Sequence, residues 1–249
     1  MMKEILVILK KDLKETLHTR TFLISIALTI FVVYYVLINL ERTIGAMLKT
    51  NTVIEPTGYI QPIIGIAIFS VMLIVAVYYS FMINSYTLLI EKTKHSLESL
   101  LCTPLSLKQF WFGKTMSMFI PSTILGFLFT LAAFCAANVF VIYPKVGHWI
   151  YPGAASLVAI FIAVPAIVLF LSALFYLLQL IIANVRLINI IFMFVLIITI
   201  NVLMLGSSNL KSSWSLVFIS LGAAATLGLT NLFLFRLLTK ERIVLTSKG

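Results

Sequence analysis

The chain has 249 residues, of which 61% are hydrophobic and only 10% are charged, and its mean hydropathy is +1.13. A soluble domain carries about 25% charged residues, so this composition predicts an integral membrane protein and leaves no room within these residues for a separate soluble domain. The formal net charge of +10 is interpreted as a signal of orientation across a membrane, and nucleic-acid binding is not predicted.

The first twenty residues, MMKEILVILKKDLKETLHTR, are amphipathic and are not apolar enough to cross a bilayer. Ile5, Leu9 and Leu13 recur at helical spacing, whereas the lysines fall mainly on other faces. This pattern predicts a helix along the cytoplasmic membrane surface, with a basic face suited to anionic lipid headgroups. Because charges occur throughout the segment, a cleavable signal is not predicted.

Six long apolar runs follow this segment. A helix needs about 20 apolar residues to cross the hydrocarbon core of a bilayer, and each run is close to that length or longer. The predicted fold class is therefore all-α, a single polytopic transmembrane domain over residues 1–249. The predicted spans one to six cover residues 21–40, 62–90, 115–142, 155–183, 187–205 and 214–235.

The positive charges orient these spans. Six spans put both termini on the same side, and of the 18 Lys and Arg residues all but Arg42, Lys49, Lys145 and Lys211 fall on that side. Lys and Arg are concentrated in cytoplasmic connections. Both termini and the connection between spans two and three are therefore predicted to be cytoplasmic.

The six runs contain polar residues but no Asp, Glu, Lys, Arg or His within the predicted bounds. Ion-coupled carriers and proton pumps use ionisable groups at membrane depth, so their absence argues against a self-powered carrier. Most of the polar residues are predicted to form hydrogen bonds between helices, and Gln179, Thr199 and Asn201 are the candidates to line a translocation path. The polar residues considered are Asn39, Asn84, Ser85, Asn138, Ser172, Gln179, Thr199, Asn201, Thr226 and Asn231.

No pattern in the sequence predicts catalysis, metal binding or nucleotide binding. The histidines are scattered at positions 18, 95 and 148, and there is no zinc-binding or nucleophile-elbow motif. Gly113-Lys114-Thr115 has the tail of a phosphate-binding loop, but Lys108 stands where that loop requires glycine. Lys114 is instead predicted to extend to the headgroups at the border of span three.

The connection between spans two and three, EKTKHSLESLLCTPLSLKQFWFGKT at residues 91–115, is the most patterned polar segment. Leu97, Leu100 and Leu101 form one apolar stripe of a short helix. Pro104 ends that helix, and Ser106 begins a second helix that leads into span three. The predicted helix, turn and helix project into the cytoplasm. From these residues alone, the stripe either lies on lipid as a connector or docks onto a soluble partner.

This segment resembles the signature between the second and third spans of type-2 ATP-binding cassette (ABC) exporter permeases, the ABC-2 type. The family pattern is E-R/K, then G-T-L-E-x-L-L-x-T-P-L/I-S, then G-K. His95 and Ser96 depart from its Gly-Thr, and the short connection at residues 206–213 leaves little room for the outer segment that the family often carries. The matching residues are Glu91-Lys92, Leu97-Glu98-x-Leu100-Leu101-x-Thr103-Pro104-Leu105-Ser106 and Gly113-Lys114.

The resemblance implies a multi-pass permease subunit of an exporter in the cell membrane of a prokaryote. It implies a dimer with a second permease copy and two soluble ATPase subunits, which carry ATP and Mg²⁺, so that this chain binds no cofactor and is not itself an enzyme. The alternatives are a non-transporting anchor or scaffold and a gated channel or carrier. The residues implied to dock on the ATPase are Glu91, Leu97, Glu98, Leu100, Leu101, Pro104 and Leu105.

Overall fold

The computed structural model describes residues 20–50, 57–93, 107–181 and 214–236. The long helices are α1 (Arg20–Thr50), α2 (Thr57–Thr93), α3 (Leu107–Ala136), α6 (Val164–Ile181) and α7 (Trp214–Phe235). Between α3 and α6 the chain forms a π-helical segment (Ala137–Ile142), the short helix α4 (Tyr143–Val146), the short helix α5 (Ala154–Val158) and a second π-helical segment (Ala159–Ala163). All regular structure in the described ranges is helical, which confirms the predicted class there.

Five stretches within the described residues are long and apolar enough to cross a membrane. They correspond to predicted spans one, two, three, four and six. The predicted surface helix at residues 1–20, the predicted helix near residues 94–102 and span five at residues 187–205 lie outside the described residues. The five stretches are Phe22–Ala46, Ile60–Ser85, Lys108–Val146, Ala154–Leu180 and Trp214–Phe235.

The helices extend further than the predicted spans at several ends. The first helix continues ten residues past the predicted end at Leu40, and α3 begins at Leu107 rather than at the predicted Thr115. The prediction bounded these two runs at Glu41 and Lys114, but Glu and Lys are good helix formers and do not end a helix. The predicted bounds therefore mark the charge-free part of each helix and not its full length.

The second helix is the centre of the bundle. In its most apolar stretch 67% of the residues are buried, against 22–39% in the other four stretches. Helices α2 and α3 share the most extensive interface and run antiparallel. Within this interface, an added Cβ on Gly126 of α3 would lie 3.0 Å from the Cβ of Ala76 and 3.1 Å from the Sδ of Met72. The absence of a side chain at Gly126 therefore allows this close packing.

We call the end of the bundle at Thr93 and Leu107 the insert end, and the opposite end, with residues 143–153, the hairpin end. At the hairpin end, Gly147 ends α4 with a φ of 80°, which is a left-handed conformation that glycine adopts without steric cost. Its N–H donates to the carbonyl oxygen of Tyr143 over 3.0 Å. Nearby, Lys145 contacts a carboxylate oxygen of Glu41 at 3.4 Å and so links α4 to α1.

Asn138, in the first π-helical segment, fixes the hairpin end. Its side chain is fully buried. The Nδ2 donates to the carbonyl oxygen of Phe134 over 3.2 Å, and the Oδ1 accepts a 3.0 Å bond from the backbone N–H of Ile150. The Asn138 amide thus hydrogen-bonds a carbonyl oxygen before α4 and a buried N–H after α4. These two bonds join the chain segments on either side of α4.

Three aromatic side chains at the hairpin end are exposed, as is common for residues at a membrane interface. The side chains of Tyr143, Trp149 and Tyr151 are exposed. The rings of Trp149 and Tyr151 also contact Phe134, with centroids 6.3 and 6.0 Å away. These aromatic residues therefore both face outward and pack onto α3.

Replacing Asn138 by leucine is expected to destabilise the protein by about 1–3 kcal/mol, because the buried N–H of Ile150 loses its acceptor. The matched control is Asn39→Leu, since Asn39 donates only to Tyr35 of its own helix at an exposed position. Thermal unfolding of the purified protein in detergent would measure both variants. Equal midpoints for the two variants would contradict the role given to Asn138.

Replacing Gly126 by leucine is expected to destabilise the protein by about 1–3 kcal/mol, because the new side chain overlaps Ala76 and Met72. Gly222→Leu on α7 is the control, since an added Cβ there meets nothing within 4 Å. The same unfolding measurement applies. If Gly126→Leu behaved like the control, the two helices would not be held at the described separation.

Candidate functional site at the insert end

The predicted docking segment lies largely outside the described residues. Glu91 belongs to the last turn of α2, while Leu97, Glu98, Leu100, Leu101, Pro104 and Leu105 fall in residues 94–106, which the structure does not describe. Of the three candidates for a translocation path, Thr199 and Asn201 also fall outside. Gln179 is described and lies fully buried in α6. The docking assignments therefore stay predictions.

The two helices that carry this segment are packed together down to the insert end. Ile83 of α2, Phe110 and Met118 of α3, and Leu177 and Leu180 of α6 belong to one buried apolar cluster. The rings of Phe110 and Tyr176 lie 6.0 Å apart within it. We call this group the apolar plug. Because Phe110 lies only three residues after the start of α3, the plug directly adjoins the docking segment.

A row of buried polar side chains lies between α2 and α6, and we call it the polar seam. It consists of Ser80 and Asn84 on α2 and of Ser172, Tyr176 and Gln179 on α6, all with 0% of their surface exposed. Spacings of three and four residues put the members of each set on one helix face. The two helices run parallel here, so Asn84 and Tyr176 each lie one turn beyond the serines towards the insert end.

The serines join the two helices directly. The Oγ atoms of Ser80 and Ser172 lie 2.6 Å apart, and the Oγ of Ser172 also donates to the carbonyl oxygen of Val168 over 2.6 Å. A hydroxyl has one hydrogen to donate, so Ser80 is the donor in the bond between the helices. The prediction that Ser172 forms an interhelical hydrogen bond is confirmed.

Asn84 differs from the serines. Among the side chains that the structure describes, its Nδ2 and Oδ1 are both buried without a hydrogen-bond partner. Leaving a buried polar group unsatisfied costs roughly 1–3 kcal/mol in proteins. The predicted interhelical hydrogen bond of Asn84 is therefore wrong for this conformation, because no donor or acceptor on α6 reaches its amide.

Three further polar residues of the predicted set divide into two groups. Asn231 on α7 donates to the carbonyl oxygen of Phe170 on α6 over 2.7 Å, so its predicted interhelical bond is confirmed. Asn39 and Thr226 instead donate to carbonyl oxygens of their own helices at exposed positions. The prediction is wrong for these two, because the hydrogen bond that each side chain donates stays within its own helix.

Lys114 does not extend to the headgroups as predicted. Only 2% of the surface of this residue is exposed. Since α3 begins at Leu107, Lys114 lies two turns inside a packed helix and not at its border. An ionisable group is therefore buried in the bundle near the insert end, although the sequence-based bounds of the spans excluded one.

Sequence reasoning missed two members of the polar seam. Ser80 lies four residues before Asn84, and Tyr176 lies four residues after Ser172. The i, i+4 spacing of these polar residues in apolar helices was the available signal. This spacing identifies the seam only once α2 and α6 are known to face each other. All five side chains of the seam are neutral, so they can exchange hydrogen bonds with each other or with water.

Comparison of the chain with protein-family models, with curated proteins and with solved structures finds no match. The function therefore has to be inferred from the residues of this chain and their packing.

The Ser80–Ser172 bond is expected to couple the two positions energetically. In a double-mutant cycle with Ser80→Ala, Ser172→Ala and the double variant, we expect a coupling energy of about 0.6 kcal/mol, the average for hydrogen bonds between membrane helices. Thermal unfolding in detergent would supply the four values. The pair Ser70→Ala and Ser172→Ala is the control, because Ser70 donates to Ile66 of its own helix and should show no coupling.

Proposed function

We propose that this chain is the membrane-spanning permease subunit of an ATP-binding cassette exporter of the ABC-2 type. It moves a substrate out of the cytoplasm or between the leaflets of a prokaryotic cell membrane, with six spans and both termini in the cytoplasm. A separate soluble ATPase supplies the energy. The observation that carries the proposal is the patterned segment at residues 91–115, set between the two most extensively packed helices of the bundle.

The packing around this segment suits the transmission of force. Helix α2 is the most buried helix, and it contacts α3 along a close antiparallel interface. Protein interiors are packed at crystal-like density and transmit strain. A displacement of the docking segment would therefore move α2 and α3 together, and α6 would follow through the apolar plug.

The residue types of the segment suit a protein partner. The apolar stripe of Leu97, Leu100 and Leu101 enters a cleft of the ATPase, and Pro104 with Leu105 forms the turn that fixes its position. Glu91 and Glu98 offer carboxylates to a basic rim. Apolar contacts at the centre of an interface give most of the affinity, while charges at the rim give specificity.

The complex has two permease copies and two ATPase subunits in this proposal. ATP and Mg²⁺ bind to the ATPase, and the permease contributes the docking segment and the path through the membrane. Gln179 lies on the buried face between α2 and α6, and it is the described residue that we assign to the path. Thr199 and Asn201 are assigned to the same path from their sequence positions.

The docking claim predicts that Leu97→Asp and Leu101→Asp separate the permease from its ATPase. An unpaired carboxylate in an apolar contact is costly to bury, so we expect ATPase activity recovered with the affinity-tagged permease from its native membrane to fall at least about tenfold. Ser99→Asp is the matched control, because it adds the same charge off the predicted stripe.

Two results would count against this function. If all three variants retain the full ATPase activity, the stripe is not the docking surface. If the unsubstituted chain recovers no ATPase at all, the chain is a membrane anchor or a channel rather than an exporter subunit. Accumulation of each variant in the membrane at the unsubstituted level is the check on folding.

A further inference from the structure

Two exposed basic residues at the insert end, Lys108 and Arg236, are the starting point. Lys108 lies in the first turn of α3, and Arg236 directly follows α7. Within the described part of the chain, neither side chain forms a hydrogen bond or an ion pair. At the hairpin end, by contrast, Lys145 is paired with Glu41. The insert end therefore presents two positive charges that the described residues do not neutralise.

A contact between Trp111 and Phe235 brings these two charges to one corner of the bundle. The centroids of the two rings lie 5.0 Å apart. The indole N–H of Trp111 also donates to the carbonyl oxygen of Ala173 over 3.4 Å, which fixes the ring against α6. Lys108 precedes Trp111 by three residues and so lies on the same face of α3. Arg236 is the residue after Phe235. We call this group of four residues, Lys108, Trp111, Phe235 and Arg236, the basic corner.

The length of α7 places the basic corner at the boundary of the hydrocarbon core. The 22 residues of α7 contain no charge, and at 1.5 Å per residue they cover about 33 Å, close to the roughly 30 Å of the core. Trp214 begins the helix and is exposed, as is typical of tryptophan at a membrane interface. The other end of α7 then reaches the second interface. Arg236 therefore lies at the level of the headgroups, and Lys108 shares that level.

On the membrane side of these charges the protein surface is aromatic. Phe112, one turn inside Lys108, has 48% of its surface exposed. Trp111 and Phe235 are partly buried against the apolar plug. The corner thus has cations at headgroup level and an exposed ring at the level of the acyl chains. A soluble anion would contact only the cations, whereas a phospholipid with an anionic headgroup contacts both parts.

We propose that the basic corner binds an anionic phospholipid of the leaflet at the insert end. The phosphate accepts hydrogen bonds from Lys108 and Arg236, and an acyl chain lies along Phe112. Hydrogen bonds between a charged donor and a phosphate are short and strong, and basic sites between membrane helices are suited to anionic headgroups. The bound lipid joins α3 to α7. This inference does not rest on the proposed function, because it uses only the charges and packing of this chain.

Quenching of Trp111 fluorescence by brominated lipids tests the site. The other two tryptophans, Trp149 and Trp214, are exposed and lie towards the hairpin end, so they are replaced by phenylalanine. The full chain is reconstituted into vesicles of phosphatidylcholine and phosphatidylglycerol, in which one or the other lipid carries bromine high on its acyl chains. The two quenching efficiencies, at equal fractions of brominated lipid, give the preference for the anionic lipid beside Trp111. We expect a preference of at least about fivefold, the value of one cation near a membrane surface.

Substitutions in this single-tryptophan chain test the two cations. Lys108→Gln and Arg236→Gln are each expected to lower the preference at least about twofold, and the double variant is expected to remove it. Lys108→Arg keeps the charge and should keep the preference. Arg42→Gln is the matched control, because it removes the same charge from an exposed position of α1 near the hairpin end. The control should leave the preference unchanged.

Three outcomes would overturn the lipid site. Equal quenching by the two brominated lipids would mean that the corner does not select an anionic headgroup. Equal losses in the Lys108→Gln, Arg236→Gln and Arg42→Gln variants would mean that the net charge of the chain attracts the lipid without a site. If inorganic phosphate removes the preference and chloride at the same ionic strength does not, the corner binds a soluble anion. No ATPase is present in the measurement, so a negative result here leaves the docking test unaffected.

Discussion

The close contact between α2 and α3 is the constraint on which the rest of the described bundle depends. Gly126 allows the two helices to approach until Ala76 and Met72 touch its backbone region. Apolar side chains gain little from leaving lipid for a protein interior, so packing of this kind, together with hydrogen bonds, holds membrane helices together. Helices α1 and α6 pack against this pair and α7 packs against α6, and α2 is the most buried helix.

Hydrogen bonds join the packed elements of the described bundle at different depths. Asn138 joins the arms of the hairpin, the serine pair joins α2 to α6, and Asn231 joins α7 to α6. Each such contact fixes a register, because a polar group in an apolar surrounding is costly without its partner. The hairpin end is therefore fixed by Asn138, and beside the plug Trp111 of α3 donates to the carbonyl oxygen of Ala173 on α6 over 3.4 Å.

In the proposed function, the docking segment connects α2 to α3 at the insert end. Phe110 belongs both to the first turn of α3 and to the apolar plug. A displacement of that segment would therefore act first on the plug, which contains side chains of α2, α3 and α6.

The sequence by itself determined the helical class, the approximate positions of the five described spans and the presence of a patterned polar segment between spans two and three. These follow from the length and polarity of runs along the chain, because a bilayer sets the length of its helices. Sequence polarity also identified Ser172 and Asn231 as partners of other helices.

Only the tertiary structure decided which polar residues face another helix and which face outward. It bonded Asn39 and Thr226 to carbonyl oxygens of their own helices, buried Lys114, paired Ser80 with Ser172 and left the amide of Asn84 without a partner. A linear pattern gives the face of a helix on which a residue lies, but not what that face meets. The neighbour is set by how whole helices pack, which depends on residues far apart in the chain, such as Gly126 and Ala76.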